Sequence, residues 1–243
     1  MASAKENIIA QLQKDILPLQ GFKSVANNTA VNVELGPIKE VFPNAVFPVG
    51  AVHEFICTSA EDAAASGGFI AGILSALMQH GGACLWISAS KTIFPPALQS
   101  FGIEPDKIIF IDLQKEKEIL WAMEEALKCD GLAAVVGEIQ ELSFMVSRRL
   151  QLAVEQSRVT GFIIRRNPRH LNTTACVSRW KINSIPSKVR DDMPGVGFPR
   201  WNVELLKIRN GKPGSWPMEW VEGKFRSIYS FASIVEERQQ KTG

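Results

Sequence analysis

The sequence predicts an α/β protein: a mostly parallel sheet, extended by antiparallel strands towards the C-terminus and preceded by an N-terminal helix. Three observations predict it. From residue 49, short continuous apolar runs alternate with helical stretches, as expected of strands buried on both faces and joined by crossover helices. After residue 175 the helical stretches stop and strand-like segments follow one another. At the other end, "ENIIAQLQKDILPL" (6–19) places Ile8, Ile9, Leu12 and Ile16 on one face at helical spacing.

Taken in order, Pro18 ends the first helix, and residues 20–48 carry Gly36, Pro37, Pro43 and Pro48 with no clear period, as in a linker wrapping a core. Strands are expected at 51–57, 83–88, 108–112, 132–136 and 160–165, with helices at 67–79, 94–101, 116–129 and 143–157 between them. In 116–129, Leu120, Met123 and Leu127 share one face, while Glu116, Glu118, Glu124 and Glu125 are polar. Four further strands follow at 176–183, 201–209, 217–222 and 224–230. The Asn-Gly of "RNGKPG" (209–214) marks a hairpin turn among them. This organisation gives an N-terminal helix and linker arm (1–45), a core (46–230) and a polar flexible tail (231–243).

With 243 residues, 46% hydrophobic and 21% charged, the chain can build a sizeable core. It contains no signal-peptide pattern and no apolar run long enough to span a membrane, so a cytoplasmic protein is expected. Cys57, Cys84, Cys129 and Cys176 form no C-x-x-C pair and read as reduced, mostly buried thiols. The net charge of +2 hides an asymmetry: residues 1–157 balance at −7, residues 158–227 at +9. Such a basic third suits a polyanion, or a solvated face without a partner.

Several chemistries are disfavoured. Residues 57–68, "CTSAEDAAASGG", occupy the strand-to-helix place of a phosphate-binding loop, with Thr58, Ser59, Gly67 and Gly68 as its remnants. Yet residues 41–90 hold no Lys or Arg, and Glu61 and Asp62 would repel phosphate. Asp112 and Glu138 end apolar strands, and Glu138 stands where a magnesium-binding carboxylate is expected, but it lacks its lysine partner. Ser88-x-x-Lys91 with a terminal K-T-G matches serine β-lactamase motifs only in letters, because Ser88 ends a strand and the K-T-G lies in a polar terminus. His53, His80 and His170 are too far apart in sequence for a metal motif, and neither G-x-S-x-G nor G-x-G-x-x-G occurs.

The basic third offers more. "RRNPRHLNTT" (165–174) gathers Arg165, Arg166, Arg169 and His170 in a small-residue loop suited to a phosphate backbone. Arg179, Lys181, Lys188, Arg190 and Arg200 extend the charge. Trp180 and Trp201 lie among them, either as stacking platforms for bases or as core residues on strands.

Six segments, "FPVGAVHEF" (47–55), "LWI" (85–87), "LWAMEEALKCDGLAAVVGE" (120–138), "SRRLQLAVEQS" (147–157), "SRWKI" (178–182) and "PRWNVELLKIRNGKPGSWPMEW" (199–220), together resemble the ImuA family over roughly residues 45–222. More faintly, the chain resembles the core of RecA recombinases. "GAVHEFICTS" stands where their first strand meets the phosphate loop, Ser90 stands at their catalytic glutamate, and "RRNPRHLNTT" stands at a DNA-binding loop. The resemblance implies a RecA-like core without nucleotide hydrolysis, not itself an enzyme, and without a cofactor. It implies an accessory protein of error-prone translesion synthesis in the SOS response, working with single-stranded DNA, an ImuB-like inactive Y-family polymerase, an error-prone DNA polymerase and RecA, near the nucleoid. In RecA-like proteins an N-terminal segment packs on a neighbour, a role that Ile8, Ile9, Leu12 and Ile16 could take unless that helix folds back on its own core. An atypical ATPase using Glu138, and a pure interaction adaptor resembling SOS cell-division inhibitors, remain as alternatives.

Overall fold

The apolar runs become strands of one nine-stranded sheet. A computed structural model describes residues 33–79, 81–90, 93–187 and 197–228. The expected N-terminal helix with Ile8, Ile9, Leu12 and Ile16, the cations Lys188 and Arg190, and the tail 231–243 lie outside the described residues. The strands are β1 (Val52–Cys57), β2 (Ala83–Ser88), β3 (Ile108–Asp112), β4 (Leu132–Ile139), β5 (Thr160–Arg166), β6 (Ser178–Ser184), β7 (Arg200–Ile208), β8 (Gly214–Val221) and β9 (Lys224–Ser227). Their order is β3-β2-β4-β5-β1-β6-β7-β8-β9. Pairing is parallel from β3 through β6 and antiparallel from β6 to β9. β1, with neighbours on both sides, is buried along its whole length.

Among the described residues, three α-helices cover the sheet: α1 (Ala60–Met78), α2 (Glu116–Ala126) and α3 (Phe144–Ser157). α1 lies on one face and is apolar almost all round, as a helix enclosed on every side should be. Phe69, Ile70, Ile73 and Leu74 are fully buried in it. The β8–β9 hairpin closes over its outer side. A Cβ at Gly72 would lie 2.5 Å from Phe225 Cζ, so only a glycine lets the helix approach that ring. α2 and α3 cover the opposite face through Ile119, Met123, Leu150 and Val154.

β4 runs on to Ile139, the Glu116 helix ends at Ala126 and β8 begins at Gly214, each three residues from expectation, and two further differences bear on the site. α1 begins at Ala60 rather than 67, because Ser59 Oγ accepts the N–H of Asp62 and caps the helix, with Glu61 and Asp62 in its first turn. Residues 94–101 form a 3-10 helix, Pro95–Phe101, rather than an α-helix. Two prolines open it, and Gly102, at φ +78°, ends it by donating its N–H to Gln99 O.

Residues 33–47 bind the core through Leu35, Ile38, Phe42 and Phe47, which are buried. Phe47 stacks on His53 at 4.5 Å, and Phe162 lies on the ring's other side at 5.6 Å. His53 Nε2 meets Pro48 O at 2.8 Å and Nδ1 meets Ser178 Oγ at 2.6 Å. Burial pushes its pKa down to about 4, against the opposing hydrogen bond to Pro48. Cys57, Cys84 and Cys176 are buried and unpaired, and Cys129 is exposed. Burial raises the Cys57 thiol to about 11, so it stays protonated.

The histidine gives a pH window. Unfolded, His53 takes up a proton near pH 6.5; folded, it stays neutral down to about 4. Its contribution to stability is complete above pH 6.5 and is lost as the pH falls towards 4, a span worth about 3 kcal/mol. Urea unfolding should show this loss, and His53→Gln, though less stable at pH 7, should show a flatter profile over the same window.

Candidate functional site

At the carboxyl ends of β2, β4 and β5 lies a pocket of about 760 Å³, where open α/β sheets commonly bind ligands. The first half of α1, the Pro95–Phe101 helix and the β6–β7 connection wall it, and Trp86, Phe94, Leu98, Phe101, Ile164 and Trp201 make its lining mainly apolar. Gly67 and Gly68 line it from within α1, and Gly68 admits the Trp201 ring, which lies 3.2 Å from where its Cβ would be.

Glu138, at the inner end of this pocket, is 6% exposed. Its Oε1 accepts Trp86 Nε1–H at 2.9 Å, and its Oε2 accepts Arg166 Nη1–H at 3.1 Å. Arg166 also donates to Ser90 Oγ at 3.0 Å. Both carboxylate oxygens are therefore engaged by the protein, and Ser90 supplies a hydroxyl to the same network. Among the described residues no group of His, Cys, Asp and Glu is arranged to hold a metal ion.

The expected loop at 57–68 is not a loop. It shrinks to Thr58 and Ser59, which serve the start of α1. Asp62 Oδ2 accepts the Thr58 N–H at 3.0 Å and its hydroxyl at 2.7 Å, while Oδ1 accepts Asn183 Nδ2–H at 2.7 Å. Desolvation opposes ionisation of Asp62, but the hydrogen bonds from Thr58 and Asn183 and the nearby Lys181 charge outweigh it and hold its carboxyl below the usual range. The helix N-terminus, which could meet a phosphate, meets the chain's own carboxylate.

The basic residues divide sharply. Arg165 is fully buried, contrary to its expected place on a DNA-facing loop. Its guanidinium donates to Glu54 Oε1 at 2.8 Å, Glu141 Oε2 at 3.2 Å, His170 O at 2.9 Å and Gln140 O at 3.3 Å. Arg179 is likewise turned inward, donating from Nε to Glu54 Oε2 at 2.7 Å and from Nη2 to Asn172 O at 2.6 Å. The physical reason is Glu54, a carboxylate buried in the central strand that requires cations. Arg166 is committed to Glu138, and Arg200 to Glu219 at 3.0 Å. Lys181 is partly buried. Arg169 and His170 remain exposed. Trp180 and Trp201 are core residues. Glu54 was missed from the sequence. Its signal was a single carboxylate inside the apolar run "AVHEFIC", which a strand buried on both faces tolerates only when paired.

Two stability predictions follow from these contacts. Arg165→Met leaves the buried Glu54 short of a partner and should cost about 3–5 kcal/mol in urea unfolding. Asp62→Ala removes the bonds at the start of α1 and should cost about 1 kcal/mol, read as a lowered thermal midpoint.

No protein-family model matches the sequence. Among solved structures, the chain is similar to the RadB recombinase (TM-score 0.51, 12% identity, 74% of this chain and 92% of that one). It is also similar to a KaiC-like protein from Pyrococcus horikoshii (TM-score 0.54, 14% identity, 82% and 98%). These likenesses bear out the expected RecA-like fold. In sequence, it is 26% identical over 162 residues to the cell division inhibitor SulA of Serratia marcescens, covering 67% of this chain and 87% of that protein. The SulA of Photorhabdus laumondii is 33% identical over 104 residues, covering 42% and 59%. Protein ImuA of Caulobacter vibrioides is 34% identical over 190 residues, covering 73% of this chain and 78% of that protein. At that identity and coverage, the chain belongs to the ImuA family.

Proposed function

We propose that this chain is a non-catalytic, RecA-like accessory protein of error-prone translesion synthesis, acting by assembly on single-stranded DNA with partner proteins. Membership of the ImuA family and the RecA-like fold support the accessory role in mutagenesis. The observation that carries the non-catalytic part is that the seat of nucleotide chemistry is occupied from within. Asp62 takes the Thr58 donors at the head of α1, Arg166 and Trp86 take both oxygens of Glu138, and no lysine lies in residues 41–90. The partners this reading implies are an ImuB-like inactive Y-family polymerase, an error-prone polymerase and RecA, at the nucleoid.

On DNA, the buried pairing of Arg165 and Arg179 transfers the phosphate-binding role to Arg169 and His170 on the exposed part of the 165–174 loop. Backbone contacts by such a loop are electrostatic and weaken with salt. A second reading has a specific observation in its favour: the likeness to SulA supports an adaptor that binds proteins and not DNA.

Fluorescence anisotropy of a labelled single-stranded oligonucleotide, with and without ATP at two salt concentrations, separates the readings. The accessory reading expects binding that falls with salt, ignores ATP, and loses several-fold affinity together with about one unit of salt slope in Arg169→Ala. Absence of binding under every condition moves the assignment to the adaptor. ATP turnover that disappears in Glu138→Gln moves it to an atypical ATPase.

A further inference from the structure

A different surface carries apolar side chains that the fold leaves uncovered. Trp121 on α2, Phe144, Met145 and Leu152 on α3, and Leu171 in the following loop are all exposed, Trp121 at 65% and Met145 at 71%. They are five of the nine large exposed apolar residues among those described, so scattered surface exposure does not account for them.

An ion pair and two hydrogen bonds bring them together. Arg149 on α3 pairs with Glu124 on α2, so the two helices lie side by side. Trp121 precedes Glu124 by one turn and Met145 precedes Arg149 by one turn, which puts the two on neighbouring ridges one step further along. The Leu171 loop is tied to the start of α3, as Arg169 N donates to Glu141 Oε1 and Asn172 Nδ2 to Leu142 O, both at 2.8 Å. Leu152 lies about two turns below Met145, some ~11 Å along the axis. Between these anchors stands Arg148, exposed and with no carboxylate partner among the described residues.

We infer that the α2–α3 face docks an acidic segment of a partner protein that carries apolar anchors about two helical turns apart. The anchors would cover Trp121, Met145 and Leu152, and a carboxylate would meet Arg148. Such a surface has the composition of an interface centre, with aromatic, Met and Arg side chains together. The inference rests on the reading that the chain acts by assembly, and names the surface through which it does so.

The test places the photo-crosslinker p-benzoylphenylalanine at Met145 of the full chain in its native cell, irradiates after DNA damage, and sequences the crosslinked peptides. The expected product is a segment of another protein rich in Asp or Glu with apolar residues at helical spacing. Made as a labelled synthetic peptide, that segment should bind the purified chain, lose ~10-fold or more in affinity to Arg148→Glu, and regain it when its acids are changed to Lys. Crosslinks to nucleic acid alone, to a second copy of this chain or to a segment without acidic residues would overturn the inference, as would the absence of any crosslink. If Met145→Glu leaves damage-induced mutagenesis intact while deletion of the chain abolishes it, this surface fails and the accessory role stands. If deletion itself has no effect, the accessory role fails.

Discussion

Glu54 sits in the middle of the central strand, 0% exposed, and the structure around it is arranged to answer its charge. β1 has two neighbours, and each supplies an arginine: β5 gives Arg165 to one carboxylate oxygen and β6 gives Arg179 to the other. Thr174 adds a hydroxyl to the second oxygen at 2.9 Å. The same guanidinium groups hold carbonyls of the 167–175 segment, so one buried carboxylate links three strands and fixes the course of the chain between β5 and β6. That junction is where the parallel sheet passes into the antiparallel hairpins. Buried ion pairs add little net stability over apolar contacts, but removing one partner is severe, so the cluster fixes geometry more than it adds stability.

The same logic of internal compensation runs through the pocket at the carboxyl ends of β2, β4 and β5. A helix N-terminus and a strand-end carboxylate are the two features that make this region of an α/β sheet attractive to a phosphate and its cation. Here each is met by a group of opposite or complementary character from the chain itself: Asp62 at the head of α1, Arg166 against Glu138. With the charges answered, the remaining space is walled by Trp86, Phe101 and Trp201. Phe101 and Trp201 belong to an aromatic core running through Phe55, Phe69, Trp180 and Phe225, which locks α1 against the sheet and the β8–β9 hairpin.

What could be read in the sequence followed from burial on both faces. β2 matches the expected 83–88 because a continuous apolar run is readily buried in the interior of a parallel sheet, and β3 matches 108–112 although it is an edge strand with Ile109 and Phe110 exposed. The start of α1 was misread because Ala, Ser and Gly are shared by loops and by enclosed helices. The arbiter was a cap, Ser59 with Asp62 three residues later, hidden in what looked like a phosphate loop. The site was less legible than the fold. A count of charges sees Arg165 and Arg179 as available cations, since their partner lies 111 and 125 residues away and only the sheet order brings it beside them. The α2–α3 face was invisible for a related reason: Trp121 and Met145 look like ordinary members of amphipathic helices until the packing shows which side of each helix is covered.

These features together bear on how such a protein could be controlled. In a nucleotide-driven machine, a ligand binds one conformation more tightly than another and so shifts the population. That lever requires a site whose contacts differ between states and are open to the ligand. In this chain the corresponding donors and acceptors are satisfied internally, and the described residues contain no buried side-chain nitrogen or oxygen without a hydrogen-bond partner that a ligand could satisfy. On the accessory reading, the energy that changes its state therefore comes from partners engaging exposed features, the Arg169 loop and the α2–α3 face, rather than from a bound nucleotide. Both features meet at the beginning of α3, where Glu141 accepts from the Arg169 backbone and from Arg165. On the same reading, a partner engaging that turn would act on the buried cluster that positions the loop, since Glu141 and Glu54 are both held by Arg165.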